Sequence, residues 1–200
     1  PTRRSSDLLR VIEKHGADKI AAFITEPLAG STGVLIPPKG YLERIREICT
    51  EHDILLIFDE VITGFGRLGA PFAAQYFNVE PDLITCAKGL TSGTVPMGAV
   101  MVKKEIYDAF QDRGPMVIDL FHGYTYSAHP LAAVALIATL DVYQEDELFK
   151  HAKEMSSYWE DALHSLRDTK HVIDVRNLGL VAGVEMETRD GKPGVRGYDV

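Results

Sequence analysis

Two kinds of apolar pattern alternate along the chain. Tyr41, Leu42, Ile45, Ile48 and Cys49 recur at helical spacing, with Glu43, Arg44, Arg46 and Glu47 on the other side, and predict an amphipathic helix. Ile54 to Phe58 is unbroken apolar sequence, which suits a strand buried on both faces of a parallel sheet. Ile20 to Thr25, closed by Glu26-Pro27, reads as a second strand, and Asp82–Ala87 and Met97–Val102 as two more. Helices are predicted at Leu8–His15, ended by Gly16, at Phe72–Tyr76 and at Lys103–Gln111. Leu28 to Gly40 holds three Gly and two Pro and reads as a loop. Strands separated by helices through short links imply βαβ units and a layered α/β domain.

The texture changes after residue 130. Pro130 to Gln144 predicts one long helix, started by proline and apolar on most faces of its first part, hence buried there. A more charged helix follows over Asp146–Leu166, then strands at Val172–Val175 and Leu180–Met186. This order suggests a division into residues 1–142, the larger α/β domain, and 143–200, the start of a small α+β domain.

Charge narrows the function classes. The 200 residues carry 21 Lys+Arg against 29 Asp+Glu, a net charge of −8. That balance argues against nucleic acid or an anionic membrane as partner, since both need clustered basic residues. The longest uncharged apolar run, Leu131–Leu140, is half of what a spanning helix needs. Cys49 and Cys86 form no disulfide framework and read as buried thiols, so a reducing cytoplasm is expected. The chain begins at Pro1 rather than Met and stops soon after the turn-like stretch 189–194, so it reads as a piece of a longer protein.

Three places could carry chemistry. Asp59-Glu60 ends the strand Ile54–Phe58, the level at which open α/β sheets bind ligands. Such a pair could hold magnesium for a nucleotide-binding ATPase module, but that chemistry needs a G-x-x-x-x-G-K-[ST] loop, and the chain has none. Taken alone, Asp59 reads rather as a strand-end carboxylate that caps the next turn. Lys88 follows the strand ending at Ala87, at the same ligand-facing level, where a partly desolvated lysine can attack a carbonyl; the alternative, and the commoner case for any one lysine, is a solvated surface side chain. An acid and a lysine at the ends of nearby strands are the pair that pyridoxal phosphate requires. The hydroxyl-rich stretch His122–Pro130 precedes the long helix, where Thr125 or Ser127 could either meet a phosphate or cap the helix. His122 and His129 match no metal pattern, and no metal site is expected.

These segments together resemble the class III pyridoxal-phosphate aminotransferases of fold type I. The resemblance rests on Thr25–Gly30, Ile57–Arg67, Pro81–Gly89, Pro96–Val100 and His122–Pro130, in that order, over about residues 8 to 190. The loop Gly30–Tyr41 and the stretch His122–Pro130 look most like the omega-amino-acid (β-alanine)–pyruvate group. Ser31 stands where ornithine- and 4-aminobutyrate-using relatives carry a glutamate, which points to pyruvate as acceptor. The resemblance implies a three-layer α/β sandwich, here its second half, followed by the start of the small domain. It implies that Lys88 bonds the cofactor's aldehyde and shuttles the substrate proton. Asp59 would hold the ring nitrogen and Val61 would pack on the ring. Thr125, with the backbone of Tyr124, would reach the phosphate of a neighbouring subunit's cofactor, and Glu26 would lie near the site. The implied enzyme is a homodimer or homotetramer taking an amino donor and pyruvate; taurine–pyruvate and other amine–pyruvate transaminases share the pattern. The phosphate loop and stacking aromatic expected upstream, and the carboxylate-binding arginine expected downstream, are not in the chain, so alone it is expected to be inactive. A catalytically dead interaction module is the remaining alternative, disfavoured by Lys88 and Asp59.

Overall fold

Strands β1 (Ala22–Thr25), β2 (Leu55–Asp59) and β3 (Leu83–Cys86) run parallel, and β4 (Ala99–Val102) pairs antiparallel to β3, in the order β1-β2-β3-β4. A computed structural model describes residues 3–111 and 120–198; Pro1 and Val200 fall outside them. The helices are α1 (Arg3–His15), α2 (Tyr41–Glu51), α3 (Ala73–Phe77), α4 (Lys104–Gln111), α5 (Pro130–Glu145) and α6 (Leu148–His164), and strands β5 (Val172–Leu178) and β6 (Val181–Met186) close the fold as an antiparallel hairpin.

The pattern on α2 comes out as read: Tyr41, Leu42, Ile45, Ile48 and Cys49 are its buried residues. They pack with Leu8 and Ile12 of α1 on Leu56 and Phe58 of β2. Truncating a residue buried as fully as Ile45 or Ile48 to alanine costs about 2–5 kcal/mol. A second, smaller core joins Leu28 and Val34 of the loop after β1 to Leu68 and Ala73 after β2, with Leu178 and Val181 of the hairpin packed against it.

Three expectations need correction. The strand over 99–102 is not a further βαβ member. Only a 3-10 turn (Lys88–Thr91) lies between β3 and β4, and without a crossover helix the chain can only return antiparallel. Strand β2 is not buried on both faces. The register places Phe23, Leu56, Phe58 and Ile84 on the face that α1 and α2 cover, and Ile24, Leu55, Ile57 and Leu83 on the other. On that second face Leu55 is 38% and Ile24 59% exposed. Nor is the start of α5 buried: Leu131, Val134 and Ile137 are 70%, 65% and 59% exposed, and its buried residues are Ala132 and Thr139. The helix packs on the Lys88–Thr91 turn and on α6, and one contact side cannot cover an all-round apolar surface. The proposed division at residue 142 falls in the last turn of α5.

Candidate active site

The three parallel strands deliver their carboxyl ends to one edge of the sheet, with Asp59 opposite Thr85 and Thr25 opposite Phe58. The pleat then separates the acid pair. Asp59 shares the open face with Ile57 and Leu83, while Glu60 turns to the covered side.

Asp59 is half-buried, and its Oδ1 accepts a hydrogen bond from Val61 N–H at 3.1 Å. Its Oδ2 has no protein partner among the described residues, and neither has Lys88 Nζ. The turn-capping and ligand-binding readings of Asp59 are therefore compatible: one oxygen caps, the other remains available. Lys88 sits three residues beyond Thr85 with φ 46°, a left-handed conformation that is uncommon without glycine. Its side chain is exposed, whereas the sequence reading wanted it partly desolvated; the described residues do not enclose it.

Glu60 has a role that sequence reasoning missed. It is fully buried, and its carboxylate accepts from Ala73 N–H at 2.6 Å, Ala74 N–H at 2.8 Å and the Thr63 hydroxyl at 3.0 Å. These two amides are among the unpaired donors that open a helix, so Glu60 caps α3 from 13 positions upstream. Burial pushes its carboxyl above the ordinary value, against the three hydrogen bonds that lower it. With both oxygens committed it is not free to hold a metal, and no metal-ligating cluster occurs among the described residues. Only its place at the strand end, next to Asp59, could have signalled this cap.

The turn carrying Lys88 is held from behind. Gly89 lies so near Phe65 that a Cβ there would come within 2.6 Å of the Phe65 Cβ. The Tyr143 hydroxyl of α5 donates to the Gly89 carbonyl at 2.6 Å. Glu26, at the end of β1, accepts from Gly30 N–H at 2.9 Å, which shapes the loop that carries Ser31.

Tyr124 and Thr125 are not brought beside Lys88 and Asp59. Both are exposed and line a separate cleft of about 720 Å³ between the 95–98 segment and the start of α5. The Tyr124 N–H is already donated to His122 Nδ1 at 3.2 Å. Cys49 and Cys86 are free and buried, and burial pushes both thiols up. None of the described helices is long and apolar enough to cross a membrane.

A primary amine and a carboxylate oxygen, both without protein partners at adjacent strand ends, are the donor set that a pyridine aldehyde would use. The model of the family described as aminotransferase class-III matches residues 2–195. An omega-aminotransferase of Caulobacter vibrioides is 63% identical over 196 residues, which make up 98% of this chain and 45% of that protein. A beta-alanine–pyruvate aminotransferase of Pseudomonas aeruginosa is 51% identical over 98% of the chain and 44% of its own length. The solved structure of a thermostable (S)-enantioselective omega-transaminase from Thermomicrobium roseum superposes with a TM-score of 0.84 at 42% identity, over 92% of this chain and 41% of that one. The chain thus spans less than half the length of the relatives it matches, and its fold is that of part of a fold type I transaminase. With nearly all of its residues inside the matched region, the chain belongs to the class III aminotransferases, which are pyridoxal-phosphate enzymes.

Proposed function

We propose that the protein carries out transamination from an omega-amino acid such as β-alanine, or an amine, to pyruvate. The observation that carries this reading is the pair Asp59 Oδ2 and Lys88 Nζ, two polar atoms without protein partners among the described residues at neighbouring strand ends. Ser31 and the names of the relatives support pyruvate as acceptor.

When bound, pyridoxal phosphate supplies an aldehyde that captures amines and a protonated ring that draws electrons from the substrate carbon. Lys88 Nζ would be the amine that holds that aldehyde, and would accept and return the proton of the substrate carbon. Asp59 Oδ2 would accept a charge-assisted hydrogen bond from the ring N–H and keep that proton in place. Val61 would pack on the ring, and its N–H, donated to Asp59 Oδ1, fixes the carboxylate's orientation. Thr125 and the Tyr124 backbone would hold the phosphate of a neighbouring subunit's cofactor in a homodimer or homotetramer, a role that needs the Tyr124 N–H to leave His122. The enzyme is assigned to the cytoplasm, in keeping with two buried free thiols. Residues up to about 142 belong to the cofactor domain and later ones to the small domain.

Borohydride reduction of the full-length enzyme supplied with pyridoxal phosphate, followed by peptide mapping, tests the core of this reading. A pyridoxyl group on Lys88, absent in Lys88→Ala, is the expected result, and an unmodified Lys88 in folded protein refutes it. For the acceptor, turnover with β-alanine should favour pyruvate over 2-oxoglutarate; the reverse preference would remove pyruvate from the proposal.

A further inference from the structure

Phe65, Tyr143 and Phe149 form a continuous aromatic stack behind the Lys88 turn. The Phe65 and Tyr143 rings are 5.9 Å apart and 18° from parallel, and Tyr143 and Phe149 are 5.1 Å apart. At one end the stack meets Gly89, whose missing Cβ lets Phe65 approach. At the other it meets α6, where Phe149 also lies against Gly66. Two non-glycine residues in left-handed backbone, Phe65 at φ 62° and Lys88 at φ 46°, flank this contact. Such conformations are strained and persist only where their surroundings fix them.

The Tyr143 hydroxyl supplies that fixing for the lysine turn. It donates to Gly89 O at 2.6 Å, the same carbonyl that accepts Ser92 N–H at 3.2 Å. Lys88 O accepts Gly93 N–H at 3.2 Å in the same turn. The side chain is half-buried, and its ring is held on both sides by the stack, so the hydroxyl has little freedom to point elsewhere.

We infer that Tyr143 is a positioning residue for Lys88: its hydroxyl holds the Gly89 peptide, and through it the left-handed turn from which Nζ works. The inference rests on the reading of Lys88 as the cofactor lysine. It also gives α6 a mechanical link to the reacting amine, because Phe149 supports the Tyr143 ring.

Tyr143→Phe in the full-length enzyme removes the hydroxyl and keeps the stack. Amide hydrogen exchange of the cofactor-free enzyme should quicken about fivefold at Ser92 and Gly93, the size expected for losing one such bond. The rest of the chain should stay unchanged. In the loaded enzyme kcat should fall by a similar factor with KM preserved, and the pH midpoint of the cofactor's absorption band should move. Phe149→Leu, which keeps the hydroxyl but removes the ring that supports Tyr143, should quicken exchange at Ser92 and Gly93 by less than Tyr143→Phe does. Unchanged exchange in Tyr143→Phe, or a rise spread evenly over the chain, overturns the inference. Absence of a pyridoxyl group on Lys88 in the wild type would instead sink the transaminase reading, while the exchange experiment still decides what Tyr143 holds.

Discussion

Glu60→Gln isolates the work of a buried carboxylate one residue from the proposed ring-binding acid. Oε2 of Glu60 takes Ala73 N–H and the Thr63 hydroxyl, and Oε1 takes Ala74 N–H. Glutamine keeps one oxygen, so its amide nitrogen must face at least one backbone N–H of α3. A lost hydrogen bond to a charged acceptor is worth about 1.5–3 kcal/mol, and relief from burying a charge returns part of it. The net loss at pH 7 should be about 2 kcal/mol. The pH dependence follows from the raised folded value. Between the ordinary glutamate value near 4.3 and the raised folded value, the native state binds a proton that the unfolded state does not. Wild-type stability from this group therefore rises as pH falls through that window, by at most about 1.4 kcal/mol per pH unit, and the glutamine variant has no such term. The gap between the two proteins should widen as pH falls from 7 towards the ordinary glutamate value near 4.3. Urea unfolding of the cofactor-free full-length enzyme and its variant, compared at each pH, measures the gap directly. Equal stability at pH 7 would mean that the cap bonds contribute nothing. A gap that narrows as pH falls towards about 4.3 would mean that the carboxylate carries its charge without cost, and either result refutes the reasoning.

Asp82 shows the opposite sign. Its carboxylate accepts from Arg46 Nη1 at 2.7 Å, Leu56 N–H at 2.8 Å and Lys103 Nζ at 3.1 Å; burial raises its carboxyl, but these partners together hold it below the ordinary value. Asp82→Asn should cost about 2 kcal/mol at pH 7, and its gap to wild type should close as pH falls below about 3.9, the ordinary aspartate value, towards the lowered folded one. Urea titrations at pH 7 and pH 3 check both halves, and a gap that survives in acid contradicts the ion-pair account. Gly179, at φ 57°, would place a Cβ 2.6 Å from Leu68 Cα and 2.7 Å from Arg67 O, both backbone atoms. Gly179→Ala should therefore lower stability by about 2 kcal/mol, seen as a fall in Tm, and an unchanged Tm would show that the hairpin does not seat there.

The parts of this fold that were legible in the sequence are those whose signal is local. The period of α2 names its buried face residue by residue, and the apolar run before Asp59 names the strand. Strand ends in a parallel sheet share one edge, so finding β2 and β3 is enough to put Asp59 opposite Thr85, three residues before Lys88. What escaped depended on partners far away in sequence. The direction of β4 is set by what lies between it and β3, and a 3-10 turn in Lys88–Thr91 leaves no apolar period to read. The burial of α5 was overstated because its pattern records what the helix can bury, whereas exposure depends on which surfaces the described residues bring to it. Glu60 was read with Asp59 as one unit, yet the pleat sends consecutive side chains to opposite faces and makes one a cap while leaving the other an open oxygen.

Glycines explain why the coupling across the proposed domain division was also hidden. In the sequence they read as turn signals. In the structure several of them are places where later segments press on the loops after β1 and β2. A Cβ at Gly66 would sit 3.0 Å from the Phe149 ring, one at Gly69 3.0 Å from Lys153 Cα, and one at Gly33 3.3 Å from the Arg176 guanidinium. Arg176 Nε donates to Gly33 O at 2.7 Å, and Leu180 N–H to Arg67 O at 2.9 Å. Each contact needs a residue without a side chain on one partner and a specific group on the other, so no short window contains the signal. The loop that follows Asp59 is therefore gripped by α6 and by the β5–β6 turn, and the turn that carries Lys88 by α5. Residues after the proposed division thus help to fix the loop that follows Asp59 and the turn that carries Lys88. A substitution that shifts α6 should then quicken amide exchange at Ser92 and Gly93 by the route through Phe149 and Tyr143, and unchanged exchange would show that α6 does not reach the turn that carries Lys88.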